Sequence, residues 1–269
     1  MRQAFAVRRK VICMATGFEG KKMVVLGGTS GIGFQTATDV VAAGGSAVII
    51  GRPGQKLDDA VASLSRSGSV WPISADLTDW DQVLEAQKEL AQSHSDATLL
   101  VNSAGLVRLK PFLDHEVTDY DSYHDLNRAT FFLTQTVVKG MVAGGKGGAI
   151  VNVGAMWAYQ ALAATPSSAF SMAKAGLHAL THNLAIELAH EGIRVNAVAP
   201  AVTNTPHFDW IPVEQREAVL QQMAGLHPLG RVGTPQDVAA AITFLLSRAS
   251  SWTTGAIFNI DGGVMAGRN

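Results

Sequence analysis

The sequence has little of what disulfide-linked, membrane-spanning or nucleic-acid-binding proteins need. Cys13 is the single cysteine among the 269 residues, so no disulfide can form within the chain, as is usual in a reducing cytoplasm. The formal net charge is only -1, which provides no electrostatic attraction to nucleic acid or an anionic membrane. No apolar run reaches the roughly 20 residues of a membrane span. We therefore expect a cytoplasmic protein without nucleic-acid or membrane partners.

The first twenty residues differ from the rest of the chain. Four basic residues precede a short apolar stretch at residues 11–14, and this stretch is shorter than the apolar core of a secretory signal. Residues 1–20 are predicted to be an extension, either disordered or lying mostly before a functional start at Met14. A weak targeting signal is the alternative. Residues 21–269 are predicted to form one domain, because no linker, repeat or low-complexity block divides them.

Short apolar runs alternate with longer amphipathic stretches from residue 22 onward. With 47% hydrophobic and 16% charged residues, the composition supports an extensive buried core. Strands that alternate with helices predict an α/β fold, in which a doubly wound parallel sheet carries helices on both faces. Seven strands are predicted, at residues 23–26, 47–50, 70–73, 98–101, 149–153, 194–198 and 256–260.

A glycine-rich loop follows the first predicted strand and opens the first helix. Glycines in such a loop permit a tight turn and close approach of the backbone to a pyrophosphate, and the helix N-terminus supplies free N–H groups. The strand, the loop and the helix occur in the order that dinucleotide-binding folds use. We therefore predict a dinucleotide site that includes Gly27, Thr29, Ser30, Gly31, Ile32 and Gly33.

The end of the second predicted strand bears on the choice of dinucleotide. An acidic side chain here usually holds the free ribose 2′-hydroxyl of NAD(H), whereas the 2′-phosphate of NADP(H) needs a cation. No acid occurs between Gly51 and Asp58, and Arg52 can pair with a phosphate through its planar guanidinium. NADP(H) is the predicted cofactor and NAD(H) the second candidate. The alternative is that Arg52 is an exposed surface cation without a ligand.

Two later segments carry a family resemblance. Residues 150–155 read Ile-Val-Asn-Val-Gly-Ala, and residues 169–176 read Ala-Phe-Ser-Met-Ala-Lys-Ala-Gly. Together with the glycine-rich loop, they resemble the short-chain dehydrogenase/reductase (SDR) family. Lys174 matches the catalytic Lys of that family. Phe170 stands where the family has its catalytic Tyr, and Ala155 stands where it has its catalytic Ser.

The resemblance implies a single-domain, Rossmann-like fold and NADP(H)-dependent reduction of a ketone or oxidation of a secondary alcohol. In the family, the Tyr exchanges a proton with the substrate oxygen, and the Ser hydrogen-bonds that oxygen. The Lys lowers the Tyr pKa and holds the nicotinamide ribose. Asn127 matches an Asn that holds a water connecting the Lys to solvent. The further cofactor positions that the resemblance implies are Asp76, Leu77, Asn102, Ala104, Gly105, Lys174, Pro200, Val202 and Thr205.

Phe170 and Ala155 lack the oxygen atoms that the two family roles require. General acid/base catalysis contributes about 10² to 10⁴ in rate and one oxyanion donor about 10² to 10³, so we expect a loss on the order of 10⁴ or more. Each replacement deletes one oxygen and keeps the shape of the side chain, which favours a silenced variant. The alternative is a natural non-catalytic NADP(H)-binding pseudoenzyme that acts as a sensor or partner protein. Tyr159 is the candidate for a substitute acid.

Aromatic side chains mark the predicted substrate pocket. Trp157 and Tyr159 follow the Ser position, and Phe208 and Trp210 lie where the family places its substrate lid. They favour a small apolar ketone or alcohol, cyclic or aryl; the alternative is that they cover an interface. The resemblance also implies a homotetramer. No metal-ligand cluster is visible, and three histidines are expected at a surface or interface: His178, His182 and His190.

Overall fold

A single seven-stranded parallel sheet organises the computed structural model, which describes residues 17–267. The strands are β1 Lys22–Leu26, β2 Ser46–Gly51, β3 Val70–Ser74, β4 Leu99–Asn102, β5 Gly148–Val153, β6 Ile193–Pro200 and β7 Ile257–Ile260. Their order in the sheet is β3-β2-β1-β4-β5-β6-β7, and every neighbouring pair is parallel. The predicted fold class and the seven predicted strands are therefore confirmed.

Helices cover both faces of the sheet. The bounds of the helices are α1 Gly31–Ala42, α2 Gln55–Leu64, α3 Trp80–Ser93, α4 Val117–Gly144, α5 Ser168–Glu187, α6 Val213–Ala224 and α7 Pro235–Leu246. One buried cluster joins the sheet to α1, α2 and α7, and a second joins it to α3, α4 and α5. Within residues 17–267, no helix is both long and apolar enough to cross a membrane.

The strand β1 shows why its residues are apolar without alternation. Met23 and Val25 belong to the cluster on one face of the sheet, and Val24 and Leu26 to the cluster on the other. Successive side chains of a strand point to opposite faces, and both faces here are covered by helices. A strand buried on both sides therefore reads as a continuous run of aliphatic residues.

The packed part of the chain begins before the first strand. Phe18 is 2% exposed, lies in the core with α1, and its backbone N–H donates to the carbonyl of Ala43. Phe18, which the sequence analysis assigned to an extension, is thus packed against the domain. Residues 1–16, including Cys13 and Met14, lie outside the described part.

The order of the strands determines where a ligand can bind. The chain runs outward from β1 to β3 and then returns to place β4 on the other side of β1. At such a reversal the loops after neighbouring strands diverge, and a crevice opens at the carboxyl ends of the strands. The predicted cofactor and catalytic positions follow β1, β2, β3, β4, β5 and β6 at this edge or lie on α4 and α5 beside it.

Candidate active site

The glycine-rich loop after β1 is shaped by contacts that leave no room for a side chain. Gly27 has a φ of 78°, and a Cβ atom there would lie 2.6 Å from the Cα of Ala104. A Cβ atom on Gly33 would lie 2.3 Å from the carbonyl oxygen of Gly27. Glycine alone combines the left-handed backbone with such close approach. No side chain caps the N-terminus of α1 after Ser30, so its N–H groups are available to a phosphate.

Arg52 stands exposed directly after β2. It forms no ion pair with any carboxylate of residues 17–267. Thr29, from the glycine-rich loop, packs against Gly51, where an added Cβ would lie 2.4 Å from the Thr29 Cγ2. The unpaired guanidinium and the glycine-rich loop therefore border the same edge of the sheet.

Asp76 and Leu77, which follow β3, differ in how their side chains are placed. The Asp76 carboxylate accepts hydrogen bonds from the backbone and hydroxyl of Thr78. Leu77 is buried in the core cluster with α3, so only its backbone is left to contact a ligand. Asp76 thus fixes the turn at the edge of the crevice, and the adenine contacts of both residues stay predictions.

Asn102 ends β4 in a buried polar network. Its Nδ2 donates to the Thr134 hydroxyl at 2.9 Å and to the Asn152 Oδ1 at 2.7 Å. Asn152 in turn donates to the hydroxyl of Thr181 at 2.8 Å. These bonds connect the middle of the sheet to α4 and α5, which cover the same face. Farther along the loop after β4, Ala104 is half-buried and Gly105 is exposed.

Thr205 lies over the start of α1. A Cβ atom on Gly31 would lie 3.3 Å from the Thr205 side chain. Pro200 ends β6, and the carbonyl of Val202 accepts a hydrogen bond from the backbone of Gly233. The segment after β6 therefore closes over the glycine-rich loop.

Lys174 on α5 and Asn127 on α4 each donate a hydrogen bond to a backbone carbonyl. The Lys174 Nζ donates to the carbonyl of Val153 at 2.8 Å, and the Asn127 Nδ2 donates to the carbonyl of Ala173 at 3.2 Å. Burial lowers the pKa of Lys174 to about 8, because desolvation disfavours the charged ammonium. The structure thus places a partly buried, titratable amine at the carboxyl end of β5.

Phe170 and Ala155 lie together in an apolar cluster beside Lys174. Each is 4% exposed, and the cluster also contains Tyr123 and Ala169, with Trp157 packed against it. The ring of Phe170 lies 6.2 Å from the ring of Tyr123 and 6.2 Å from that of Trp157, centroid to centroid. Neither Phe170 nor Ala155 has a side-chain atom that can donate a proton or a hydrogen bond.

Tyr123 is a site residue that the sequence analysis missed. Its hydroxyl accepts the backbone N–H of Arg108 at 2.9 Å and donates to the Arg108 carbonyl at 3.2 Å. Burial raises the Tyr123 pKa. Because its hydroxyl is bonded to both the N–H and the carbonyl of Arg108, Tyr123 forms part of the wall of the site and is not free to act as the acid. Its position one helical turn before Asn127 was the signal that could have found it.

Other proteins of known sequence resemble almost the whole chain. A family model described as "Enoyl-(Acyl carrier protein) reductase" matches residues 27–265. The L-xylulose reductase of Mus musculus is 36% identical over 256 residues, covering 94% of this chain and all of that protein. The cis-4-hydroxycyclohexanecarboxylate dehydrogenase of Sinomonas cyclohexanicum is 36% identical over 257 residues, with coverage of 94% and 100%.

Solved structures give the same result. A "short chain dehydrogenase/reductase family protein" superposes with a TM-score of 0.82 at 34% identity, covering 93% of this chain and 100% of that one. The L-sorbose reductase of Gluconobacter frateurii, solved with NADPH and L-sorbose, has a TM-score of 0.86 at 27% identity, with coverage of 95% and 100%. The chain belongs to the SDR family. The resemblance inferred from the sequence motifs is confirmed, and its homologues are oxidoreductases.

The structure gathers only part of the substrate pocket that was predicted for this SDR protein. Trp157 packs against Phe170, and its Nε1 donates to the Thr165 hydroxyl at 2.9 Å. Phe208 is partly buried beside His207. The side chain of Trp210 lies outside the part that the structure describes.

Tyr159 is directed toward His178 rather than toward Phe170. The residue is 52% exposed, and its ring lies 4.8 Å from the imidazole of His178, centroid to centroid. Within the described residues, the apolar cluster around Phe170 does not include Tyr159. The role of Tyr159 as a substitute acid stays a prediction.

His178 corrects one expectation of the sequence analysis. It was expected at a surface or interface, but it is 4% exposed. Its Nε2 occupies the space that a side chain on Gly154 would need, since a Cβ there would lie 2.0 Å away. Burial, with a contribution from Lys174, lowers the pKa of His178 to about 4. His178 therefore packs as a neutral side chain beneath the loop that carries Ala155.

Proposed function

We propose that this SDR protein is an NADP(H)-dependent carbonyl reductase or secondary-alcohol dehydrogenase scaffold whose proton chemistry is silenced by Ala155 and Phe170. One observation carries the proposal: Lys174 and Asn127 stand in place beside a packed apolar cluster that holds the two altered positions. The scaffold is complete except for two oxygen atoms.

The cradle after β1 fits a dinucleotide. Gly27 and Gly33 leave the backbone space that a pyrophosphate requires, and the N-terminus of α1 carries no side-chain cap. NADP(H) is favoured by Arg52, which stands exposed without an acidic partner where a 2′-phosphate would lie. The solved L-sorbose reductase relative contains NADPH. Thr29, Ser30 and Ile32 are assigned to the phosphates; Asp76, Leu77, Asn102, Ala104 and Gly105 to the adenosine; Pro200, Val202 and Thr205 to the nicotinamide.

The residues of this chain have distinct roles in the proposed reaction. A bound NADPH supplies the hydride. Lys174 would hold the nicotinamide ribose with its ammonium group, and Asn127 would anchor the path by which Lys174 exchanges protons with solvent. Positions 170 and 155 are those at which the family's Tyr and Ser meet the substrate oxygen. A Tyr and a Ser there would donate a proton and a hydrogen bond, whereas Phe170 and Ala155 donate neither.

The wall of the site supports an apolar cyclic substrate. Leu106, Val107 and Trp157 pack around Phe170. The two polar groups of this wall are already bonded inside the protein, Trp157 to Thr165 and Tyr123 to Arg108. A polyol would lose hydrogen bonds to water here and regain few, which is unfavourable by about 1 to 3 kcal/mol for each unpaired group. A cyclohexanol-type ring, as in the name of the Sinomonas relative, suits this wall better than a sugar.

The alternative function is a non-catalytic NADP(H)-binding pseudoenzyme that acts as a sensor or partner protein. The close packing of Phe170 and Ala155 favours it equally, since the cluster needs no further group. In either case we propose a cytoplasmic homotetramer. Phe131 on α4 and Ile186 on α5 are exposed apolar residues on the two helices that the family uses for assembly. Size-exclusion chromatography with light scattering tests this assembly.

The deciding experiment compares this chain with its Ala155→Ser/Phe170→Tyr revertant. NADPH binding is measured first by fluorescence, and then NADPH oxidation is followed over a panel of cyclic and aryl ketones. The proposal expects NADPH binding by both proteins and turnover by the revertant alone. NADPH binding without turnover by the revertant would favour the pseudoenzyme. Failure of both proteins to bind NADPH would exclude both functions.

A further inference from the structure

Residues 104–109 (the β4 loop) have few hydrogen bonds to hold them in place. They form no helix or strand. In the described part of the chain, their backbone makes no hydrogen bond to another backbone group, and the nearest such bonds lie just outside the loop, at Ser103 and at Lys110. A segment with so few backbone hydrogen bonds is readily displaced unless a side chain fixes it.

The hydroxyl of Tyr123 provides that fixed point. It accepts the Arg108 N–H at 2.9 Å and donates to the Arg108 carbonyl at 3.2 Å. Tyr123 is 4% exposed and lies on the long helix α4, so its own position is set by the packed core. Both hydrogen bonds that the backbone of the β4 loop forms within the described residues therefore depend on one oxygen atom.

The β4 loop connects the cofactor end of the crevice to the chemical end. Its first residue, Ala104, lies so close to the glycine-rich loop that a Cβ atom on Gly27 would be 2.6 Å from its Cα. Leu106 and Val107 pack against the apolar cluster that contains Phe170. A displacement of Leu106 and Val107 would therefore change the width of the proposed substrate site.

The wall on the other side of the site is hydrogen-bonded to the end of this loop. The N–H of Lys110 donates to the carbonyl of Pro166 at 3.0 Å. The neighbouring Thr165 accepts a hydrogen bond from the Nε1 of Trp157, whose ring packs against Phe170. The two apolar walls are thus connected at one end, and the distance between them depends on what holds the β4 loop at its middle.

We propose that Tyr123 is a positioning residue whose hydroxyl sets the width of the substrate site through the β4 loop, so that the site favours a compact cyclic ketone or alcohol over an extended one. This inference rests on the proposed function. With the hydroxyl in place, the loop is ordered before the ligand binds, and a single ring fills a preformed apolar site. Without it, the ligand must order the loop, and a longer ligand is no longer excluded.

The first measurement is ligand binding to the NADPH complex of the unaltered protein, with cyclohexanone and 4-phenylcyclohexanone as the probes. NADPH fluorescence follows both titrations. Tyr123→Phe deletes one oxygen atom and should weaken cyclohexanone binding by about tenfold, because two hydrogen bonds to the loop are lost. The binding of 4-phenylcyclohexanone should weaken less, and NADPH binding should not change.

Tyr120→Phe is the matched control. Tyr120 lies on the same helix and is exposed, and its hydroxyl forms no hydrogen bond with any described residue. The same oxygen atom is deleted from the same type of side chain, but the β4 loop keeps its two hydrogen bonds. We expect the dissociation constants of both ketones to equal those of the unaltered protein.

The second measurement separates positioning from a loss of folded protein. In the Ala155→Ser/Phe170→Tyr revertant, Tyr123→Phe should raise the KM for cyclohexanone by about tenfold and leave kcat nearly unchanged, because the interaction that is lost serves binding in the ground state and the transition state alike. A merely structural role would lower kcat, since less protein is active, and would leave both KM and the preference between the two ketones unchanged.

Hydrogen exchange tests the loop without any ligand. The backbone amides of the β4 loop should exchange about tenfold faster in Tyr123→Phe than in the unaltered protein, and at the unaltered rate in Tyr120→Phe. Unchanged exchange in Tyr123→Phe overturns the proposal, as does an unchanged preference between the two ketones or a fall in kcat alone. A revertant that reduces no ketone overturns the proposed function, and this inference with it.

Discussion

The two ends of the crevice differ in what makes them competent. At the cofactor end, the shape of the site is set by the backbone, because Gly27 and Gly33 leave space where any side chain would collide. At the proposed chemical end, the family's chemistry depends on single side-chain oxygen atoms, and Phe170 and Ala155 pack into an apolar cluster without them. The first kind of site cannot be altered without disturbing the fold. The second can lose its chemistry while the fold is unchanged, so fold membership alone does not establish activity.

The largest effect is expected from the substitutions that restore the two missing oxygen atoms at the chemical end. The Ala155→Ser/Phe170→Tyr revertant should gain on the order of 10⁴ or more in kcat/KM for a cyclic ketone, because an acid and an oxyanion donor return together. Each single revertant should recover far less, since residues of one catalytic unit act non-additively. Steady-state kinetics on the four proteins measure both points. Equal gains from the two single changes, multiplying to the full gain, would contradict a shared catalytic unit.

A smaller effect is expected from adding a side chain to the glycine-rich loop at the cofactor end. Gly27→Ala forces a side chain into a backbone with a φ of 78° and within 2.6 Å of the Ala104 Cα, so NADPH affinity should fall by about 100-fold through strain and displacement of the loop. Gly144→Ala is the matched control, because nothing lies within 4 Å of its Cβ position at the end of α4. Fluorescence titration compares the two. Tight NADPH binding by Gly27→Ala would show that the loop is not the pyrophosphate cradle.

A substitution of Arg52 tests which dinucleotide the cofactor end selects. Arg52→Gln should weaken NADPH binding by about tenfold and leave NADH binding unchanged, since the charge acts on the 2′-phosphate alone. Lys56→Gln, in the first turn of α2 and also exposed, controls for loss of a nearby charge. The dissociation constants of both cofactors are measured for each protein. An equal loss for NADH and NADPH would assign Arg52 to general surface charge.

Much of this molecule could be predicted from its sequence, and the failures share one cause. The seven strands follow from local apolar runs, and the glycine-rich loop from the order of strand, loop and helix. The position of His178 depends on Gly154, which lies on another element and leaves room for its imidazole. Tyr123 enters the site because its hydroxyl meets the backbone of Arg108, fifteen residues away. Such contacts arise from packing between elements, and no local pattern records them.

The smallest expected effect concerns the neutral His178 beneath the altered loop. Its folded pKa of about 4 lies below its ordinary value of 6.5, so the unfolded chain binds the extra proton between these values. Stability is then lost as the pH falls from about 6.5 to 4, by about 1 to 3 kcal/mol. His178→Leu should remove this part of the pH dependence in urea unfolding at fixed protein concentration. His190→Gln, whose side chain is 75% exposed, should keep it. If the pH dependence of the free energy of unfolding is the same in His178→Leu as in the unaltered protein, groups other than His178 cause the loss of stability in acid. The prediction would then be wrong.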